Sequence, residues 1–301
     1  MDLDLVVLGN LIVDDIVYES GETRMSQPGG ATLYMGLTAP LWDLRVGLVS
    51  IAGKDFPSKI LRALEDRGVE LAGVHRSDEP GLRTWLLYED GIRRVVHRLD
   101  GASHSQSSPT VNDIPAGWRP LVIHLAPMPF GLQRELVTEL ATKFDDEVLI
   151  SLDPFELLTE EGSDQWHSLL SKIDFFFLSE DEMASREMRL EPEPVLRHLF
   201  VGRLRTILYK QGKAGGLVLR SDKASSLRWA GRADGVVDTT GAGDAFACGV
   251  LAGLIRDEPL VRALQRGVVS ASFVIQGQGV EALLQATPTA AQERLETWFG
   301  P

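Results

Sequence analysis

The sequence predicts an α/β protein built on a mostly parallel β-sheet. The first observation is a series of short apolar segments rich in Val, Ile and Phe. The second is that segments of helical length separate most of them, an alternation typical of parallel sheets covered by helices. The predicted strands lie at 5–9, 46–51, 121–125, 148–152, 174–178 and 205–209.

Two of the intervening segments have the apolar spacing of helices that cover a sheet. In the first, Ile60, Leu61 and Leu64 form one stripe, and Gly68 marks the end of the helix. The stripe of the second consists of Leu132, Leu136, Val137 and Leu140. Both helices are expected to pack on the sheet.

One segment interrupts this alternation. Between Gly81 and Gly101 the chain has the pattern of two short strands around the turn Glu89-Asp90-Gly91. Inserted strands often cover the site of an α/β enzyme, so segment 82–101 is expected to form a small β lid. The alternative is a surface hairpin without a role. Without long linkers or internal repeats, residues 1–301 are expected to form a single domain.

The composition limits the partners and the location of the protein. The chain of 301 residues has a formal net charge of -13, which opposes binding to nucleic acid. The segment MDLDLVVLG at the start lacks the basic residues of a signal peptide, and no apolar stretch is long enough to cross a membrane. Cys248 is the only cysteine, which excludes an internal disulfide and favours the cytoplasm. Cys248 itself is expected to be a buried packing residue.

The sequence Asp238-Thr239-Thr240-Gly241-Ala242-Gly243-Asp244 carries the strongest chemical signal. It precedes an apolar helical stripe, and the free N–H groups and positive dipole at a helix start bind anions. The backbone of 241–243 is therefore a candidate anion hole. Asp244 is either the N-cap of this helix or a base that accepts a proton from a substrate hydroxyl. The chain has no GxxxxGK[ST] motif, so a different mode of phosphate binding is implied.

DTTGAGDAF resembles the C-terminal signature of the PfkB carbohydrate kinases, and other segments follow in the order of that family. They are GNLIVDD at 9–15, PGGATLY at 28–34, the segment 46–70, FFFLSEDEM at 175–183 and YKQGKAGG at 209–216. The resemblance spans nearly the whole chain. It implies a ribokinase-like three-layer sandwich with a small β lid formed by segments 11–30 and 82–101. It also implies ATP-dependent phosphorylation of a hydroxyl group on a small molecule.

The resemblance also implies roles for residues of the acceptor side. Asp244 would be the catalytic base, with Gly241, Ala242 and Gly243 as the anion hole. Asp14 would bind acceptor hydroxyls, and Asp15 is the less favoured candidate for that role. The acceptor site would be lined by Gly29, Gly30 and Tyr34, whose phenol stands where many sugar kinases of the family have Asn.

On the nucleotide side, Gly212 and Gly215 would shape the loop beside ATP, with Lys210 and Lys213 either pointing to the phosphates or exposed. Glu182 matches the acid of the family's NxxE element and would hold Mg²⁺ through water, although Ser179 replaces the Asn. Thr240 would contact the nucleotide, and Asp238 would either bind a monovalent cation such as K⁺ or hold the loop.

Departures from the family pattern concern the acceptor. Two departures argue against ribose as the acceptor. One is Tyr34, and the other is Asp153-Pro154-Phe155, which stands where the family has a DPNxR-like segment. A polyol, a cyclitol, an unusual sugar and a nucleoside remain as candidates, and His97 is the histidine best placed to touch the substrate. The alternative function is a non-catalytic ligand-binding or regulatory protein on the same fold. A vitamin kinase of the wider superfamily is a third, less favoured candidate. Exposed lid strands favour a homodimer.

Overall fold

The computed structural model describes residues 1–89, 92–144, 147–158, 163–183 and 191–300. A nine-stranded sheet forms the centre, with the strand order β13-β12-β11-β10-β9-β8-β1-β4-β5. All neighbours from β11 to β5 pair in parallel, and β12 and β13 pair antiparallel. These strands are β1 (Asp2–Leu8), β4 (Val46–Ala52), β5 (Glu70–Arg76), β8 (Arg119–Leu125), β9 (Leu149–Leu152), β10 (Phe175–Ser179), β11 (Thr206–Lys210), β12 (Gly216–Arg220) and β13 (Leu227–Trp229).

Helices cover both faces of this sheet. They are α1 (Ala31–Thr38), α2 (Ser58–Glu65), α3 (His104–Ser107), α4 (Phe130–Phe144), α5 (Ser163–Leu170), α6 (Pro192–His198), α7 (Ala242–Ile255), α8 (Leu260–Ile275), α9 (Glu281–Gln285) and α10 (Pro288–Phe299). Short 3₁₀ helices lie at Ala39–Trp42, Val111–Asp113, Glu180–Glu182 and Gly212–Ala214.

Strand β1 explains why the sheet needs two helical layers. Side chains alternate between the faces of a strand. Leu5 and Val7 pack in one apolar core with α1, α7 and α8, whereas Val6 and Leu8 pack in a second core with α4, α5 and α6. Both faces are apolar because both are buried, which is typical of parallel sheets. The predicted α/β architecture with a mostly parallel central sheet is thus confirmed.

A second, four-stranded sheet has the order β3-β2-β6-β7. Its strands are β2 (Ile12–Val17), β3 (Thr23–Gly29), β6 (Leu82–Glu89) and β7 (Ile92–His97). They fall within the two segments expected to form the lid, and we call this sheet the lid sheet. Asp90 and Gly91 of the predicted hairpin turn lie outside the described residues.

No helix in the described ranges is long and apolar enough to cross a membrane. The predicted strand positions agree with the observed ones within a few residues. The first predicted helix ends at Glu65, and Gly68 follows it with a φ of 78°, a conformation that glycine adopts readily.

Candidate active site

The loop 238–244 leads into α7 at the carboxyl edge of the central sheet. Gly241 is the N-cap residue, with a φ of 81°, and the helix begins at Ala242. Asp244 therefore lies in the first turn of α7. It is not the N-cap of this helix, so that alternative is wrong. The N–H groups of Gly241 and Gly243 make no hydrogen bond within the described part of the chain, as expected at a helix start.

The amide of Ala242 differs from its two neighbours. Its N–H donates to the carbonyl oxygen of Thr239 at 3.2 Å. Two of the three amides predicted to form the anion hole are thus open, and the third takes part in a turn. The length of this bond is at the upper end of the normal range for backbone hydrogen bonds.

Tyr34 occupies the space beside this loop. A Cβ on Gly241 would overlap the ring of Tyr34, so the ring packs directly on the loop backbone. Burial raises the pKa of the phenol well above its usual value, and the negative charges of Asp238, Asp14 and Asp244 raise it further. The neutral Tyr34 ring is therefore surrounded by the residues predicted to bind the acceptor and to act as the base.

Asp14 projects from β2 of the lid sheet. It is almost fully buried, and the hydroxyl of Thr84 donates a hydrogen bond to its Oδ1. Its Oδ2 approaches Gly29 so closely that a Cβ there would overlap it. Gly30 is the N-cap residue of α1 and has a φ of 96°, which disfavours any other residue. Gly29 and Gly30 thus let the lid sheet and α1 approach each other around Asp14.

Asp15 has a different place. It is fully buried, accepts a hydrogen bond from the N–H of Ser26 at 2.6 Å, and pairs with the guanidinium of Arg98. The guanidinium of Arg98 also lies over the ring of Trp85, 5.0 Å from its centroid. Asp15 therefore ties β2 to β3 and to the residue that follows β7.

Lys210, at the end of β11, reaches the carboxylate of Asp153, which follows β9. Its Nζ lies 2.9 and 2.7 Å from Oδ1 and Oδ2. Burial by itself lowers the pKa of Lys210, but Asp153, Glu182 and Asp244 attract the charged form and raise it overall. A Cβ on Gly243 would lie 3.4 Å from Nζ, so the ammonium group faces the start of α7.

Burial raises the pKa of Asp153 to about 6, and Lys210 opposes that shift. Because Lys210 favours the ionised form, we regard the contact as an ion pair. Lys210 is not an exposed side chain, and its charge lies beside the start of α7. Lys213, by contrast, is exposed.

Glu182 lies in the 3₁₀ turn after β10. The N–H of Ser179 donates to its Oε2 at 2.6 Å, so Ser179 holds the carboxylate through its backbone. Burial raises the pKa of Glu182 to about 7, with Lys210 opposing the shift and Asp153 adding to it. Mg²⁺ keeps several waters and binds few protein carboxylates, so a single carboxylate can serve it. The role of Glu182 in holding Mg²⁺ stays a prediction.

Asp238 anchors the loop. Its Oδ1 accepts hydrogen bonds from the N–H of Thr240 at 2.9 Å and from the hydroxyl of Tyr88 at 3.0 Å. Its Oδ2 accepts one from the N–H of Gly279 at 3.2 Å. The hydroxyls of Tyr88 and Thr240 are 2.6 Å apart. The carboxylate therefore holds the loop and connects it to the lid sheet, and a cation site at Asp238 stays a prediction.

The predicted nucleotide loop is a tight turn between β11 and β12. Gly212 and Gly215 both have positive φ angles, 52° and 92°. A Cβ at Gly215 would overlap the carbonyl oxygen of Trp229 on β13. The turn geometry thus explains why both positions are glycine. The turn lies immediately after β11, which ends at Lys210.

Three contacts of this site were not predicted. They are the ion pair of Asp153 with Lys210, the bond from Thr84 to Asp14, and the bonds from Tyr88 to the loop. The sequence offered one usable signal, because Asp153 and Lys210 both follow buried strands, and the carboxyl ends of parallel strands meet at one edge of a sheet. The contacts of Thr84 and Tyr88 depend on the pairing of the lid strands.

Residues 2–287 match the family described as pfkB family carbohydrate kinase. A cytidine kinase of Thermococcus kodakarensis is 27% identical over 282 residues, covering 92% of this chain and 98% of the relative. A nucleoside kinase of Methanocaldococcus jannaschii is 24% identical, covering 89% and 85%. An ATP-dependent 6-phosphofructokinase of Thermoanaerobacterium thermosaccharolyticum is also 24% identical, covering 92% and 89%.

Solved structures show the same fold. A ribokinase of Cryptococcus neoformans var. grubii in complex with ADP matches with a TM-score of 0.76 and 18% identity, covering 97% of this chain and 99% of that one. A nucleoside kinase of Burkholderia thailandensis in complex with inosine matches with a TM-score of 0.74 and 15% identity, covering 99% of each. These likenesses confirm the ribokinase-like three-layer sandwich with its β lid.

The family match covers nearly the whole chain, and the three relatives reported above, which also align over most of their length, are named as kinases. The chain belongs to the pfkB family of carbohydrate kinases and is a phosphotransferase that acts on an alcohol group.

Proposed function

We propose that the protein transfers the γ-phosphoryl group of ATP to a hydroxyl group of a sugar, polyol, cyclitol or nucleoside, with Asp244 as the base. The observation that carries the proposal is that four features lie around Tyr34 and the start of α7. These are the open start of α7, the carboxylate of Asp244 in its first turn, the ammonium of Lys210 and the buried carboxylate of Asp14.

Each feature has a chemical task in phosphoryl transfer. Asp14 binds the acceptor, with Tyr34, Gly29 and Gly30 shaping its surroundings. Asp244 accepts the proton of the attacking hydroxyl as the new O–P bond forms and the bond to ADP breaks. Open N–H groups at a helix start stabilise charge that develops on the transferring group.

The site needs positive charge, because its carboxylates repel the phosphates of ATP. Lys210 supplies one charge and the dipole of α7 supplies a partial one. Mg²⁺ bound to ATP would be held near Glu182 through water and would neutralise the phosphate charge. Gly212, Gly215 and Thr240 would border the nucleotide, and a monovalent cation such as K⁺ beside Asp238 would stabilise the loop.

The relatives support a kinase without naming one acceptor, since their printed activities cover a nucleoside and a sugar phosphate. The test is acceptor-dependent release of ADP over a panel of sugars, polyols and nucleosides, with wild type and Asp244→Asn. We expect wild type to release ADP with at least one acceptor and the variant to be slower by about 10²–10⁴-fold.

Asp257→Asn is the matched control. Asp257 is exposed just beyond the other end of α7 and has a φ of 54°, which Asn tolerates well. This variant should keep full activity. Equal turnover by Asp244→Asn and wild type would contradict the assigned base. Saturable ATP binding without ADP release across the whole panel would favour the alternative, a non-catalytic binding protein.

A further inference from the structure

Two histidines and a phenylalanine form a cluster at the edge of the acceptor side. The ring centroids of His97 and His104 are 4.6 Å apart, and the ring of Phe155 lies 6.0 Å from His97 and 5.6 Å from His104. Phe155 is 40% exposed and His97 is exposed too. We call these three residues the aromatic cluster. The proposed phosphoryl transfer uses none of them.

The lid sheet places this cluster in line with the acceptor aspartate. Asp14 is the direct neighbour of Thr84 across β2 and β6, and Thr84 is the direct neighbour of His97 across β6 and β7. Directly opposed residues point to the same face of a sheet, and the hydrogen bond from Thr84 to Asp14 is formed on that face. Two strand spacings separate Asp14 from His97, roughly 10 Å.

Phe155 approaches the same place from the central sheet. It follows Asp153 by two residues, and Asp153 binds Lys210 at the reaction centre. The aromatic cluster is therefore bounded by the lid sheet on one side and by the loop after β9 on the other. A molecule that presents a hydroxyl beside Asp14 and extends along the lid sheet would reach it.

Hydrogen bonds define the tautomers of the two histidines. Asn10 donates through Nδ2 to the carbonyl oxygen of Ser107 at 2.9 Å, so its Oδ1 is the atom that faces His104 Nδ1, at 3.2 Å. His104 Nδ1 must then carry the proton. Burial lowers the pKa of His104 to about 4, which leaves its Nε2 as an acceptor.

His97 completes this chain. Its Nε2 lies 3.3 Å from His104 Nε2 and is therefore the donor of that contact. In a neutral imidazole one nitrogen donates and the other accepts. The remaining nitrogen of His97, Nδ1, is thus an acceptor on an exposed ring beside an exposed phenyl group.

An exposed phenyl ring offers a stacking surface for a flat heterocycle. A free monosaccharide bound at Asp14 does not extend over the roughly 10 Å to this surface. A heterocycle with an exocyclic amino group would use both the ring of Phe155 and the acceptor nitrogen of His97.

We propose that the aromatic cluster is a base-binding subsite and that the acceptor is a nucleoside whose base carries an exocyclic amino group. The sugar of this nucleoside lies at Asp14, its base packs against Phe155, and its amino group donates to His97 Nδ1. This inference rests on the proposed function for the position of the sugar.

The test measures binding by titration calorimetry, which does not depend on turnover. Cytidine and uridine form a matched pair, because the base of cytidine carries an amino group where the base of uridine carries a carbonyl group. We expect wild type to bind cytidine about tenfold more tightly than uridine, and free ribose much more weakly than either. Adenosine and inosine provide a second pair with the same difference.

Two variants separate stacking from hydrogen bonding. His97→Phe keeps a ring but removes the acceptor nitrogen, so the preference for cytidine over uridine should fall to about one. Phe155→Ala should weaken binding of both nucleosides by about tenfold and leave their ratio unchanged. Leu157→Ala is the control, since Leu157 is 53% exposed in the same loop and lies outside the cluster.

The outcomes distinguish this inference from the proposed function. In one outcome, the protein phosphorylates a free sugar in preference to every nucleoside, with no effect of Phe155→Ala. That result would support the proposed kinase function and overturn the base-binding subsite. A preference for cytidine that persists in His97→Phe would overturn the assigned hydrogen bond. Binding of cytidine that depends on Phe155, without any phosphoryl transfer, would contradict the proposed function and support the subsite.

Discussion

The Nζ atom of Lys210 lies 2.9 and 2.7 Å from the two carboxylate oxygens of Asp153, across the ends of two parallel strands. This ion pair lies beside the start of α7, where the proposed chemistry takes place. Both partners are largely buried. Since neither residue is near the other in sequence, the pair exists only because the carboxyl ends of β9 and β11 meet at one edge of the sheet.

Lys210→Met is expected to reduce both stability and activity. Removing one partner of a buried ion pair leaves the other without compensation, at a cost of about 3–5 kcal/mol. Denaturant unfolding should show this loss, and the double variant with Asp153→Asn should recover part of it. Lys213→Met, at an exposed position in the following turn, is the control and should change neither property. An unchanged kcat/KM in Lys210→Met would contradict the role of Lys210 near the phosphates.

Glu182 predicts a pH dependence of stability. Its pKa in the folded protein is raised from the ordinary value of 4.5 to about 7, chiefly by burial. Between these values the folded state binds more protons than the unfolded state, so the free energy of unfolding falls as pH rises through this window and levels off above it.

Unfolding of wild type and Glu182→Gln between pH 4.5 and pH 8, without Mg²⁺, tests this prediction. In the variant, the free energy of unfolding should fall less as pH rises through this window, because the amide of Gln does not titrate. Asp181→Asn, at the exposed neighbouring position, is the control. Parallel pH profiles for wild type and Glu182→Gln would show that Glu182 is not the titrating group.

Tyr88 and Tyr18 provide a matched pair of variants on the lid sheet. Their rings stack at 5.6 Å, but the hydroxyl of Tyr88 bonds to Asp238 and Thr240, whereas that of Tyr18 is buried and has no partner within the described ranges. Tyr88→Phe should slow turnover about tenfold, since it removes the contact between the lid sheet and the loop 238–244. Tyr18→Phe should be neutral or slightly stabilising. Equal kcat values for both variants would contradict a catalytic role of this contact.

Gly29→Ala tests the position of Asp14. The new methyl group would overlap Oδ2 of Asp14 and displace the carboxylate. We expect KM for the acceptor to rise at least tenfold while the affinity for ATP stays unchanged, because the nucleotide elements lie on other strands. Gly131→Ala is the control, since a Cβ there meets open space at the start of α4. An unchanged acceptor KM would show that Asp14 does not bind the acceptor.

Features that are determined by residues close together in sequence can be predicted from the sequence. The alternation of Leu5 to Leu8 between two cores follows from an uninterrupted apolar strand, and the start of α7 follows from small residues before an apolar stripe. The loop 238–244 could therefore be identified as a candidate anion site from local pattern alone. Its family signature then assigned a role to Asp244.

The remaining parts of the site depend on contacts between residues far apart in sequence. Tyr88 and Asp238 are 150 positions apart, and the bond between them depends on how the lid sheet lies on the loop. Phe155 was recognised as a departure from the family pattern, but its contact with His97 requires the pairing of β6 and β7. Periodicity and local spacing carry no information about such contacts, since these arise from packing of whole elements.

The central claim, that Asp244 is the base for phosphoryl transfer, is tested most directly by a single-turnover experiment. Enzyme in excess is mixed with γ-labelled ATP and a saturating acceptor, and the label on the acceptor is followed over time. We predict that Asp244→Asn binds ATP as wild type does and transfers the label at least about 100-fold more slowly. Transfer at the wild-type rate by Asp244→Asn would contradict the account.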